Sequence, residues 1–369
     1  MKKYIATVLS LIMLFTVFIA CSKNVPDTSV ISNDTEISNQ NNESSISESS
    51  SENNNSQTQE ETVTEQIEDD KSENDTIPTI DRPANVAALI GPTGIGLTYL
   101  TSYSNFFNLE LFTAPDQVTA KIINGEVDIA AVPVNLASVL YNKTKGAISV
   151  IAVNTLGVLY IVERGDSIHS IQDLAGKTIY ATGQGSTPQY ILEQVLANNN
   201  LTDSVTVEYI ADGTELASKL VKGDIEIGLL PEPQVSVACI QSQNEVRVAL
   251  SMNDLWNEKN STSIVQGVYI VRNEYLKENP WIVSKFMEDA AASADKVVKD
   301  ENAPADVVAA GILPKEPIAK RAIPNCNICF ISGEEMKTII SAMLETLYNL
   351  NPSSVGGKLP DENFYYWKN

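Results

Sequence analysis

Small, polar and backbone-freeing residues gather at four places in this 369-residue chain where a small molecule could be gripped. Gly91-Pro-Thr-Gly-Ile-Gly96 follows an apolar run and precedes helix-like sequence, and Gly183-Gln-Gly-Ser-Thr-Pro188 has the same setting. Pro133-Val-Asn135 and Pro231-Glu-Pro233 close two other apolar runs. Glycines let a backbone approach a ligand closely, and free N–H groups at a helix start favour a negative group. Ligands of open α/β sheets sit beyond the carboxyl ends of strands, which is where all four segments are expected. The candidate contacts are therefore Pro92, Thr93, Gly94 and Asn135 on one side, and Gln184, Gly185, Ser186, Thr187 and Glu232 on the other. Ser186 or Thr187 can also cap the helix that starts near Pro188, and Asn135 can cap its own. Glu232 stands between two prolines, where regular structure is hard to form, and is expected to line a solvated cleft.

Other motifs point to no reaction. Gly91–Gly96 has the order G-x-x-G-x-G, not the G-x-G-x-x-G of dinucleotide sites. Asp173-Leu-Ala-Gly-Lys-Thr178 imitates the end of a phosphate-binding loop, yet Ile171 stands where its first Gly is required and a strand-like run follows. Cys326-Asn-Ile-Cys329 has redox or zinc spacing, but there is no second pair, and one pair cannot complete tetrahedral zinc. Buried thiols or a local disulfide are the expectation there. The only His, His169, lies in a predicted surface turn, so neither a Ser-His-Asp nor a Cys-His pair is supported. No cofactor, metal or catalytic group is predicted.

The elements that must position these residues occur twice. Lys121 to Pro133 reads KIINGEVDIAAVP and Lys219 to Pro231 reads KLVKGDIEIGLLP, with Lys, Gly, Ile and Pro coincident in an ungapped alignment. Upstream, NVAALIGPTGIGLTYL (85–100) and KTIYATGQGSTPQYIL (177–192) share an order of strand, Gly loop and helix. Two copies argue for two similar lobes and against a solenoid. Strands are predicted at 86–91, 109–113, 127–133, 149–156 and 158–163, then at 177–182, 205–210, 225–230, 246–250 and 264–272. Helices are predicted between them, including 98–107, 117–125, 135–142, 188–199 and 214–223, with a polar connector after Trp256. That alternation signals βαβ units. The runs 153–164 and 262–271 are expected to cross between lobes, giving a first lobe of 81–164 and 264–369 and a second of 165–263.

The beginning of the chain is of another kind. Lys2 and Lys3 precede an apolar stretch from Ile5 to Ala20, and Cys21 follows. This resembles a bacterial lipoprotein signal, with Phe18 where Leu is usual; it implies a signal peptide over 1–20 and acylation of Cys21. Ser22 to Ile80 carries 14 acids against Lys23 and Lys71 and has no Gly, Trp, Tyr or Phe. Such composition cannot offset its ordering entropy, so 21–80 is predicted to be a disordered acidic stalk. More than half of the chain's net charge of −22 lies there. The remainder has no Lys/Arg-rich run, which argues against nucleic acid.

Taken with the duplicated lobes, GPTGIG (91–96), GEVDIAAVP (125–133), DLAGKTI (173–179) and LPEP (230–233) resemble the nitrate/sulfonate/taurine-type substrate-binding proteins of ABC importers. That group also includes binders of thiamine-pyrimidine precursors. The resemblance spans about residues 84 to 350. It implies an α/β, type II periplasmic-binding-protein-like fold, each lobe a mainly parallel sheet flanked by helices, joined by two crossover strands. It further implies a monomer, lipid-anchored on the extracytoplasmic face of the cell membrane, that passes a small molecule to an ABC permease and its ATPase. No Lys or Arg lies in 91–96, 183–188 or 231–233, which leans toward a small heteroaromatic or amino-bearing ligand, or a sulfonate-like monoanion. Tyr99, Tyr160 and Tyr190 are the aromatics expected against it. A sensor for a membrane receptor, and an enzyme of pyrimidine or cofactor metabolism on the same fold, are the alternative readings.

Overall fold

Eleven strands account for nearly every apolar run of the folded part. In chain order they are β1 (Ala84–Leu89), β2 (Phe107–Phe112), β3 (Ile129–Pro133), β4 (Ile148–Leu156), β5 (Leu159–Arg164), β6 (Thr178–Ala181), β7 (Thr206–Tyr209), β8 (Ile227–Pro231), β9 (Val246–Ser251), β10 (Val265–Arg272) and β11 (Ile328–Ile331). The structure, a computed structural model, describes residues 82–260 and 262–366, all within the unit Asn74–Asn369. Cys21, the signal segment and the acidic stretch to Ile80 lie outside the described residues.

Two sheets form. The first has the order β11-β4-β10-β3-β1-β2 and the second β7-β6-β8-β5-β9. The orders correspond position by position: β2, β1, β3, β10 and β4 match β7, β6, β8, β5 and β9. In each sheet one crossing strand, β10 or β5, runs antiparallel to its neighbours. The flanking parallel pairs are β1 with β2 and β3, and β6 with β7 and β8. The strand read from the sequence as part of the first lobe, 158–163, instead completes the second sheet as β5. The chain passes between sheets at Gly157–Val158, and returns through the Met252–Asn260 helix and the residues before β10.

Burial explains the uninterrupted apolar runs. Val86 and Ala88 of β1 join a core with Phe107 and Phe286, whereas Ala87 and Leu89 join another with Val118 and Ile122. A strand covered on both faces has no need of polar alternation. Phe107, read as the end of a helix, opens β2 because it packs edge-on against Phe286 at 5.7 Å; helix is confined to Leu100–Tyr103. The polar run after Trp256 is also helical to Asn260, because Met252, Leu255 and Trp256 bury one face at helical spacing.

The repeated glycines are helix terminators. Gly125 (φ 75°) and Gly223 (φ 79°) both take left-handed backbone at the ends of the Pro115–Ile123 and Gly213–Lys222 helices. Over each lies the Arg that ends the antiparallel strand: Arg272 near Gly125, and Arg164 near Gly223. Arg272 donates to Val127 O and Arg164 to Leu220 O and Val221 O. The duplication thus extends to the residues that lock each helix end.

Candidate functional site

Loop by loop, the two lobes put their motifs at the carboxyl ends of equivalent strands. β1 leads through Gly91 (φ 106°) into one turn of helix, Pro92–Ile95. Gly94 is a glycine for internal reasons, since a Cβ there would stand 2.5 Å from Leu89 O. The turn itself therefore excludes a side chain at 94. Thr93 is 7% exposed, and its hydroxyl makes no hydrogen bond among the described residues. Asn135 occupies the second position of the Val134–Lys143 helix, whose N-cap is Pro133 and carries no side-chain bond. Asn135 is therefore no cap, and its half-buried carboxamide is left for another partner.

In the second lobe, Gly183 (φ 77°) and Gly185 (φ 75°) turn the chain into the Thr187–Asn198 helix. Ser186 sits at the N-cap, but its hydroxyl donates back to Gly183 O at 2.7 Å and caps nothing. Gly185 N donates to Gln189 Oε1 at 2.7 Å. Gln184, Gly185 and Ser186 are exposed, and Thr187 is half-buried.

Register joins these loops to the crossing points. Pro133 pairs with Gly267, Gly267 with Thr155, and Pro231 with Leu159. Glu232 N donates to Val158 O at 3.0 Å. Pro92, Thr93, Asn135, Thr155 and Gly267 therefore share one end of the first sheet, while the 183–187 loop and Glu232 share the matching end of the second.

Glu232 departs from expectation. It is 2% exposed, not solvated. Ser236 N and Ser236 Oγ each donate to its carboxylate at 3.1 Å, and so does Asn325 Nδ2. Burial raises its pKa above the ordinary glutamate value against the pull of those donors. Asn325 lies just before β11 of the first sheet, and its carbonyl accepts Tyr160 Oη of the second at 2.7 Å. Glu232 is thus part of a strut between the two sheets. The three tyrosines are similarly engaged. Tyr160 binds Asn325, and Tyr190 donates to Gly185 O and accepts from Asn351 Nδ2 at 2.6 Å. Tyr99 donates to Asp306 at 2.7 Å beneath the Lys296 ammonium, inside the first lobe's helical layer.

One residue escaped the motifs. Asn154 of β4 is 1% exposed, and neither its Oδ1 nor its Nδ2 has a hydrogen-bond partner. A Cβ at Gly267 would strike Asn154 Oδ1 and stand 2.6 Å from Thr93 Cγ2. A buried polar group without a partner costs about 1–3 kcal/mol. The available signal was a lone carboxamide in the otherwise apolar run SVIAV-N-TL.

The remaining motifs are structural. Asp173 accepts from His169 N, Ser170 N and Ser170 Oγ, forming a capping box on the Ile171–Leu174 turn. Those donors hold its carboxyl below the usual range. His169 is exposed. Cys326 and Cys329 are free thiols; burial pushes Cys326 far up and Cys329 up to about 12, so neither is a ready nucleophile. Among the described residues no group of three or more His, Cys, Asp or Glu could hold a metal ion.

Two mixed α/β sheets of matching order, each flanked by helices and joined by two crossings, define a bilobal binding-protein fold. Residues 108–303 match the family described as NMT1/THI5 like, and the chain belongs to it. An ABC transporter structure from Parabacteroides distasonis is similar over 78% of this chain and 100% of its own, at 23% identity and a TM-score of 0.68. The periplasmic aliphatic sulphonate binding protein SsuA from Escherichia coli is similar over 78% of this chain and 93% of its own, at 16% identity and a TM-score of 0.59. The zinc-bound ligand binding component of an ABC-type import system from Staphylococcus aureus is similar over 77% and 98%, at 14% identity and 0.56. These likenesses are in fold. No curated protein matches the chain.

Proposed function

We propose that this protein is an extracytoplasmic solute-binding lipoprotein that takes a small molecule between its lobes and delivers it to an ABC-type permease. The observation that carries this reading is the paired placement of Gly91–Thr93 with Asn135, and of Gly183–Thr187, at the carboxyl ends of equivalent strands beside two crossings. Contacts from both lobes favour a closed state only if they are better made there, which is the physics of a clamp. The contacts proposed are Pro92, Thr93, the Gly94 turn and Asn135 on one lobe, and Gln184, Gly185, Ser186 and Thr187 on the other. Glu232 stands behind them as the interlobe strut. The lobes are proposed to divide at Gly157–Val158 and between Met252 and Ile264. The fold neighbours are named as an ABC transporter, the ligand binding component of an ABC-type import system and a periplasmic sulphonate binding protein, which supports the transport assignment over an enzyme.

Among the described residues no helix is long and apolar enough to cross a membrane. Membrane attachment is proposed through acylated Cys21, on the signal-like sequence before it, with 22–80 as a spacer. Cys21→Ala should release the protein from the membrane or stall its processing; unchanged partitioning into the detergent phase would remove the anchor. The binding reading is tested by native mass spectrometry of the full chain, followed by small-angle scattering with the molecule found. One bound molecule per chain and a smaller radius of gyration are expected. Turnover of that molecule by the purified protein, or binding with no change in radius, would replace this reading.

A further inference from the structure

We infer that Asn154 reads the solute, and that the solute is a neutral molecule carrying an N–H donor beside a hydrogen-bond acceptor, as in a primary amide or a lactam. This rests on the solute-binding reading and narrows it. Three features of the chain lead to Asn154. Its carboxamide is buried with both polar atoms unpartnered. The pairing of β4 with β10 slips between Gly267 and Val268, so that Thr155 pairs with Gly267 and Val153 with Val268 while Asn154 is the extra residue. Bulges of this kind re-aim a side chain and are frequent beside binding sites. Finally, residue 267 has no side chain, and a Cβ there would clash with Asn154 Oδ1 and Thr93 Cγ2 alike, so these two side chains close over the same glycine. Asn154 is therefore directed toward the Thr93 loop, whose hydroxyl is also without a partner among the described residues.

The chemistry of the carboxamide sets the class of solute. Asn offers an acceptor and a donor side by side, and its complement offers a donor and an acceptor in the same arrangement. A sulfonate or nitrate has acceptors only; it would satisfy Nδ2 and leave buried Oδ1 unpaired. Sites built to bond a donor reject analogues that lack it far more strongly than apolar pockets reject a missing methylene. The absence of Lys and Arg from the 91–96 and 183–188 loops agrees with a neutral solute.

The test uses the full chain, with nicotinamide and uracil as probes and ethanesulfonate and nitrate as contrasts. Affinity is read by calorimetry and lobe closure by small-angle scattering. Wild type should bind nicotinamide or uracil and close. Asn154→Leu, nearly isosteric, should weaken that binding by about tenfold or more, yet melt at or above the wild-type temperature without ligand, because it removes a buried unpaired polar group. Asn154→Asp, which keeps the shape without the N–H, should also lose the probe. A merely structural asparagine would behave oppositely, with a lower melting temperature in Asn154→Leu and affinity retained, and that result overturns the inference. So does a wild type that binds neither nicotinamide nor uracil. Closure on ethanesulfonate or nitrate alone would leave the solute-binding reading standing while removing the role of Asn154.

Discussion

Glu232 shows how differently one carboxylate reads in sequence and in the folded chain. Its flanking prolines suggested a residue lining a solvated cleft. Buried and bound by Ser236 and Asn325, it should instead be costly to delete. Glu232→Ala strands three donors and is expected to destabilise the protein by about 1–3 kcal/mol; Glu232→Gln keeps one acceptor and should lose less. The pH dependence has a definite sign. The folded-state pKa is raised by burial, so the stabilising contribution is full below the ordinary glutamate value and is lost as pH rises through the raised one. Between acidic and neutral pH the melting temperature of wild type should therefore fall more steeply than that of Glu232→Gln, which has no carboxyl to titrate there. An identical pH profile in the two proteins would show that Glu232 does not titrate in that window. Asp128 has the opposite sign. Burial pushes its carboxyl up, but Arg82, the Asn85 N–H and Arg272 overcome that and hold it below the usual range. Its contribution is present above the ordinary aspartate value and lost as pH falls through the lowered one.

At the scale of elements, the duplicated unit of helix end, strand and proline is a recurring mechanical part. The helix ends on a left-handed Gly, an acid-rich turn follows, and the strand runs antiparallel to a crossing strand whose terminal Arg docks on the helix end. Asp212 caps the second copy by accepting from Thr214 N at 2.8 Å and Glu215 N at 3.0 Å. An L side chain in left-handed backbone costs about 1–2 kcal/mol. Gly223→Ala should therefore lower stability by at least that amount, because its Cβ would also approach Arg164 Nε at 3.1 Å. Gly125→Ala should cost less, since its nearest neighbour would be Arg272 Nη1 at 3.6 Å. Chemical denaturation of the two variants would settle the order, and a smaller loss at Gly223 would contradict it.

Across the whole molecule, side-chain hydrogen bonds bridge the two lobes, among them Arg321 to Asn244 at 3.1 Å. Asn325 connects the first lobe to Glu232 and Tyr160, and Asn351 at the end of the Gly333–Leu350 helix connects it to Tyr190 beside the 183–187 loop. Each bridge is made of neutral or singly charged polar groups, whose bonds water can replace. Removing the Asn325 side chain should shift the unliganded protein toward open forms. A net hydrogen bond contributes about 1 kcal/mol, or roughly fivefold in a two-state population. Scattering of Asn325→Ala should accordingly show a larger mean radius of gyration than wild type; an unchanged radius would mean that the bridge does not influence closure.

Periodicity, the internal repeat and the positions of Gly and Pro determined the elements and their order, because local backbone geometry and burial of whole strands are written in short stretches of chain. The paired loops were legible for the same reason: glycine at positive φ and proline at a strand end are local requirements. The misplaced boundaries had non-local causes. Phe107 is a strand residue because of Phe286, and β5 belongs to the second sheet because β8 and β9 flank it. β11 was missed because a four-residue half-buried edge has little pattern of its own. Which polar groups are spent and which are free was decided only in three dimensions. Glu232 meets Asn325 from 93 residues away and Tyr99 meets Asp306 from 207, while Asn154 has no partner among the described residues. Hydrogen-bond partners that distant leave no mark in local pattern, because orientation and burial are properties of the packed molecule.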